Sequence, residues 1–93
     1  MLYIRKVRVE APGTMNQHIT AVGYSGGTSG ALTEISRETA VNLIGGGHTF
    51  RSHNDRTLAE ADVTVATSAA GTKYVRTVAD GRESNNLLEL PRY

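Results

Sequence analysis

Three residues in the middle of the chain, His48, His53 and Asp55, are the local set whose types suit a metal ion or a general base. Their spacing works against both uses. Along an extended backbone an odd separation of five sends the two imidazoles to opposite faces unless a bulge or turn intervenes. A metal would also need a third and fourth ligand, and Asp62 or His18 would have to arrive from elsewhere in the fold. The chain has no cysteine, which removes thiolate catalysis, cysteine zinc sites and disulfides together. Serines are plentiful, yet none sits in a Gly-x-Ser-x-Gly elbow and none stands at a recognised spacing from a histidine. The expectation is a non-catalytic protein with no metal site and no cofactor.

A second constellation is basic. Arg5, Lys6 and Arg8 crowd one segment near the start, and Lys73 and Arg76 stand in another near the end. Such cations meet phosphate groups, while Tyr24 and Tyr74 offer rings on which bases stack. Gly26 and Gly27, in the run SGGTSG at residues 25–30, would let a phosphate approach the backbone. That run lacks the Gly-Lys-Ser/Thr ending of a phosphate loop, so it also reads as a flexible connector. Basic residues on a strand have a second use, since solvated lysines and arginines keep sheet edges from pairing with one another. The candidate ligand-binding set is therefore Arg5, Lys6, Arg8, Tyr24, Gly26, Gly27, Lys73, Tyr74 and Arg76, and the ligand class is a small nucleotide or nucleic acid.

The elements that must position these residues follow from pattern. Residues 2–10 and 18–24 alternate as strands, separated by the turn signal Ala11-Pro12-Gly13. The short connection makes them an antiparallel pair. Ser36 is a good N-cap, Glu38 sits in the first turn, and Ala40, Val41, Leu43 and Ile44 form an apolar stripe, which predicts a helix over residues 36–44. Gly45, Gly46 and Gly47 stop it, one of them in the left-handed position. Residues 48–52, 60–67 and 73–78 read as three further strands, with Phe50 a core anchor. The predicted fold is α+β, a mostly antiparallel five-stranded sheet in the order β-β-α-β-β-β with one short helix packed on one face.

The segment at residues 72–91, TKYVRTVADGRESNNLLELP, carries the densest local instruction. A strand runs into Asp80-Gly81, a turn pair; Asn85 and Asn86 are placed to cap a short turn bearing Leu87, Leu88 and Leu90; Pro91 ends it. The order KYVRTVADG followed by NNLLELP resembles the ending of a small uncharacterised bacterial family, domain of unknown function 3892. Looser correspondence covers the N-terminal strand pair, the Ile-Ser to Ile-Gly element and the short aromatic strand after the glycines. That resemblance implies a stand-alone, soluble bacterial domain and supplies no catalytic residues.

Composition bounds the rest. Ninety-three residues suit one domain, residues 1–93, able to bury about two thirds of its unfolded surface. A net charge of +1 is too small to announce a nucleic-acid partner, so local clustering has to carry that reading. No apolar run approaches a membrane span, and the first residues lack a signal-like apolar core, so a cytoplasmic location without membrane contact is expected. Five strands under one short helix leave a sheet face uncovered, and Tyr3, Tyr24 and Tyr74 suit a half-buried interface. A self-associating homo-oligomer is therefore one functional expectation, and a phosphate-ligand binder is the other.

Overall fold

A computed structural model describes residues 1–79 and 81–93. Among the described residues seven strands form one sheet: β1 Leu2–Val9, β2 Ile19–Ser25, β3 Thr33–Ser36, β4 Phe50–His53, β5 Glu60–Thr67, β6 Lys73–Ala79 and β7 Arg82–Ser84. A 3-10 turn, Asn16–His18, joins β1 to β2, and one α-helix, α1 Arg37–Gly45, follows β3. The spatial order is β3-β2-β1-β4-β5-β6-β7. Every neighbouring pair is antiparallel except β1 with β4. The α+β class, the lone helix and the mostly antiparallel sheet match the expectation; the count of five strands does not.

Both additional strands have physical reasons for escaping notice. β3 reads Thr-Glu-Ile-Ser and β7 reads Arg-Glu-Ser, so neither shows the apolar alternation that marks a half-buried strand. They exist because β2 and β6 present edges to pair with, Val22 opposite Ile35 and Val78 opposite Glu83. The glycine of the expected Asp80-Gly81 turn adopts a φ of +76°, and Ala79 pairs with Arg82 across it; Asp80 itself lies outside the described residues.

The helix forms as its sequence instructs. Ser36 accepts the Thr39 amide at 3.2 Å, a side-chain N-cap. At the other end Gly47 takes a φ of +100°, with its amide on Ile44 O and the His48 amide on Leu43 O. That bond pair closes the helix in a Schellman motif, which needs a residue tolerant of the left-handed region.

The sheet is not flat. A nine-residue helix is roughly 13 Å long, and five strand spacings span roughly 24 Å in a flat sheet. Yet α1 touches both β3 at one edge and β6 next to the other. Asn16, in the β1–β2 connection, likewise reaches β7, donating to Glu83 Oε2 at 3.2 Å and Ser84 O at 3.1 Å. The seven strands therefore curl until their edges approach, with α1 and the 3-10 turn bridging them. Inside lie Ile4, Val7, Ile19, Val22, Phe50, Val63, Val75 and Ala40.

The closing segment completes this core. Leu87 and Leu90 are buried within it, held in a turn where the Glu89 amide bonds Asn85 O and the Leu90 amide bonds Leu87 O. Among the described residues neither the Asn85 nor the Asn86 side chain caps that turn; the Glu89 and Leu90 amides are satisfied by backbone. Beyond it the chain returns to β1, where Val7 donates to Pro91 O at 2.9 Å and accepts from the Tyr93 amide at 3.1 Å. No helix among the described residues is long and apolar enough to cross a membrane.

Candidate functional site

The nine basic, aromatic and glycine residues singled out from sequence are distributed over separate places. Register explains the first three. Ile4 pairs with Tyr24 and Lys6 with Gly23, so Arg5 is the extra residue of a β-bulge. The bulge turns its guanidinium toward the sheet surface, where Nε and Nη2 donate to Asp55 at 2.9 and 2.7 Å. Nη1 donates to Gly30 O at 2.9 Å and lies 3.3 Å from Ser25 Oγ. This side chain is only 10% exposed. The paired guanidinium holds the Asp55 carboxyl below its ordinary range, chiefly through that hydrogen bond.

Arg5 also determines what the glycine loop can do. Anion nests aim backbone N–H groups inward. Here carbonyls point in: Ser25 Oγ donates to Gly27 O at 2.6 Å, and Gly30 O faces the guanidinium. Gly26 and Gly27 thus lie in a loop whose inward polarity is opposite to that of a phosphate cradle.

Lys6 crosses β2 to reach Glu34 on β3 at 2.7 Å. Its stem lies so close over Gly23 that a Cβ there would meet Lys6 Cγ at 2.6 Å. The ammonium stands 4.4 Å from the Tyr93 ring centroid, and the exposed Arg8 guanidinium 5.6 Å from it. Burial raises the Tyr93 hydroxyl above its ordinary pKa. Tyr24 packs edge-on against Phe50, centroids 5.6 Å apart, as part of the core rather than as a platform.

On the far side of the sheet, Arg76 Nη1 meets Glu83 Oε1 at 3.3 Å. Tyr74 is 7% exposed and its hydroxyl lies 3.4 Å from the same oxygen. Between these two regions runs a ladder of charges fixed by cross-strand pairing, Arg51 opposite Asp62 and His53 opposite Glu60. His53 Nδ1 lies 2.7 Å from Glu60 Oε2, and Nε2 lies 3.6 Å from Asp55 Oδ1. The His53 hydrogen bond, with help from Arg51, holds the Glu60 carboxyl below its ordinary range. So His53 and Asp55 converge, Glu60 joins them, and His48 stays exposed beyond the helix. Among the described residues no group of three has the arrangement of a metal site.

Concavity lies elsewhere. Two adjoining chambers of about 280 and 290 Å³ open between α1, the 3-10 turn and the β5–β6 turn, and both are lined by Arg37 and Thr72. The first adds Glu38, Val41, Asn42 and Lys73. The second adds Gln17, His18, Ser68 and Tyr74 among others, with no carboxylate in its wall among the described residues. Arg37 Nη1 donates to Gln17 O at 3.1 Å, which holds α1 to the 3-10 turn. His18 Nδ1 accepts the amides of Thr14 and Met15, both at 3.1 Å, so its ring proton resides on Nε2. Of the nine candidate ligand-binding residues, Lys73 and Tyr74 reach this groove.

Arg37 was missed, although a signal existed. A cation in the first turn of a helix opposes the helix dipole, so its presence directly after the Ser36 cap asks for another explanation.

Across residues 3–91 the chain matches the family model described as Protein of unknown function (DUF3892). The chain belongs to this family. DUF3892 is a small uncharacterised bacterial family, as the KYVRTVADG and NNLLELP segments had indicated. Comparison with curated proteins found no match, and comparison with solved structures found none. In this DUF3892 chain the groove and the charged ladder are the places where polar side chains gather.

Proposed function

We propose that this DUF3892 protein is a non-catalytic binding module that holds a phosphate-bearing ligand in the groove between α1 and the β5–β6 turn. One observation carries the reading: Arg37 lines both chambers of the groove, Lys73 joins it in the first, and among the described residues neither takes a carboxylate partner. Arg5, Lys6, Arg51 and Arg76 are each already neutralised by an acid. A cation left open in a concave site retains its attraction for an anion, and desolvation there strengthens it. A cytoplasmic location suits such a ligand and stays part of the proposal.

The test is a titration with a nucleotide panel and with oligonucleotides at low and moderate salt. The expected outcome is saturable binding at low salt that weakens as salt rises and falls at least about tenfold in Arg37→Ala. Absence of binding at low salt, where a phosphate contact is strongest, would dismiss the reading.

Self-association is the second reading. An uncovered apolar sheet face no longer supports it, because the face expected to be bare carries the ladder of ion pairs. What favours it now is the edge strand β3, which among the described residues has a sheet neighbour on one side only and is largely exposed. Light scattering from micromolar to millimolar concentration decides: a mass above one chain supports it, and a strict monomer removes it.

A further inference from the structure

We infer that the groove is bipartite and takes a nucleoside monophosphate whose base carries an exocyclic amine, with the phosphate in the second chamber and the base in the first. The inference rests on the phosphate-binding reading above and narrows it to one class of ligand and one orientation.

Size comes first. Each chamber, at about 280 and 290 Å³, is just under the ~300 Å³ at which small-molecule pockets begin. They meet at Arg37 and Thr72, which line both. A ligand spanning the two has two chemically different ends, as a mononucleotide does, whereas inorganic phosphate fills only one.

Polarity then orients it. Among the described residues the second chamber has donors and no acid: the Arg37 guanidinium, the Thr72 and Ser68 hydroxyls, and the His18 ring, whose proton is fixed on Nε2 because Nδ1 accepts two backbone amides. An imidazole held in that tautomer is a donor to a phosphate oxygen. Wall composition in the first chamber differs, since Val41 supplies apolar surface, Asn42 an amide and Glu38 a carboxylate. A phosphate there would face Glu38 and be repelled. A flat base lies against Val41 with its amine donating to Glu38. A long single strand finds no such continuation, because beyond the groove the neighbouring sheet surface alternates in charge, Arg51 with Asp62 and Arg76 with Glu83.

The experiment is a calorimetric titration of the intact protein with adenosine monophosphate, inosine monophosphate, adenosine and inorganic phosphate, repeated for Glu38→Gln. Inosine monophosphate replaces the amine with a carbonyl, so the comparison needs no variant. Adenosine monophosphate should bind at least about tenfold more tightly than either inorganic phosphate or adenosine, and about fivefold or more tightly than inosine monophosphate. Glu38→Gln should erase the preference between the two nucleotides. Equal affinity for inorganic phosphate and both nucleotides would overturn the bipartite arrangement and leave phosphate binding standing. Equal affinity for the two nucleotides in the wild type would overturn the orientation of the base. Tighter binding of an oligonucleotide than of any mononucleotide would replace the ligand class, and no binding of any anion would remove the underlying reading as well.

Discussion

Leu58 holds a φ of +64° and is 70% exposed. The left-handed region costs a side-chain-bearing residue about 1–2 kcal/mol, so the loop around it must supply the restraint. It does so through Asn54, whose Oδ1 accepts the Arg56 and Thr57 amides while its carbonyl accepts the Leu58 amide at 2.7 Å. Because the leucine buries little, Leu58→Gly should raise stability by roughly 0.5–1 kcal/mol, the strain relieved less the added freedom of the unfolded chain. Chemical denaturation measures it, and a loss of stability would mean the side chain packs more than its exposure indicates. Neither this strain nor the Arg5 bulge was legible in sequence. Leucine does not advertise positive φ, and the bulge arises only where β1 meets β2 in register. The His53–Asp55 convergence was hidden for a related reason: Asp55 belongs to a turn, so strand parity does not govern where its carboxylate goes.

At the level of elements, the sequence was most informative where several local signals agreed. Ser36, the Ala40 to Ile44 stripe and the glycine triplet specified α1 to within a residue at each end. The closing turn was legible through its leucines, since Leu87 and Leu90 could only be there to be buried, while the asparagines beside them misled. The amide that matters is Asn16, which joins the 3-10 turn to β7. Asn16→Ala should therefore cost about 1–2 kcal/mol for two lost buried hydrogen bonds, and Asn86→Ala should stay within about 0.5 kcal/mol of the wild type. Thermal melting of the two variants checks this, and the reverse order of effects would restore the capping role to Asn86. Short polar edge strands remain invisible to pattern because pairing, not burial, creates them.

For the molecule as a whole, the charged ladder makes stability depend on pH in a definite direction. Asp55 and Glu60 have carboxyls lowered below their ordinary values, by Arg5 and by His53 respectively. As pH falls, the unfolded chain takes up protons on these groups before the folded one does, so stability falls with it. Their contribution is complete above the ordinary carboxylate range and disappears once pH drops through the depressed folded values. The melting temperature should decline in that acidic window, and Asp55→Asn should flatten the decline without changing the shape of the curve near neutrality. An unchanged acid slope in the variant would show that the Arg5 pairing is too well solvated to register.

The curl of the sheet was the largest departure from expectation, because it depends on which distant edges meet, and local alternation is silent about that. It also brings α1 against the β5–β6 turn and so creates the groove, whose decisive residue, Arg37, had no partner in the linear chain.

The bonds from Pro91 and Tyr93 to Val7 tie the closing segment to the first strand, so neither can loosen alone. Amide exchange at Val7 and at Tyr93 should therefore be slow together, and should accelerate together in Leu90→Ala, which removes the buried leucine that seats the segment.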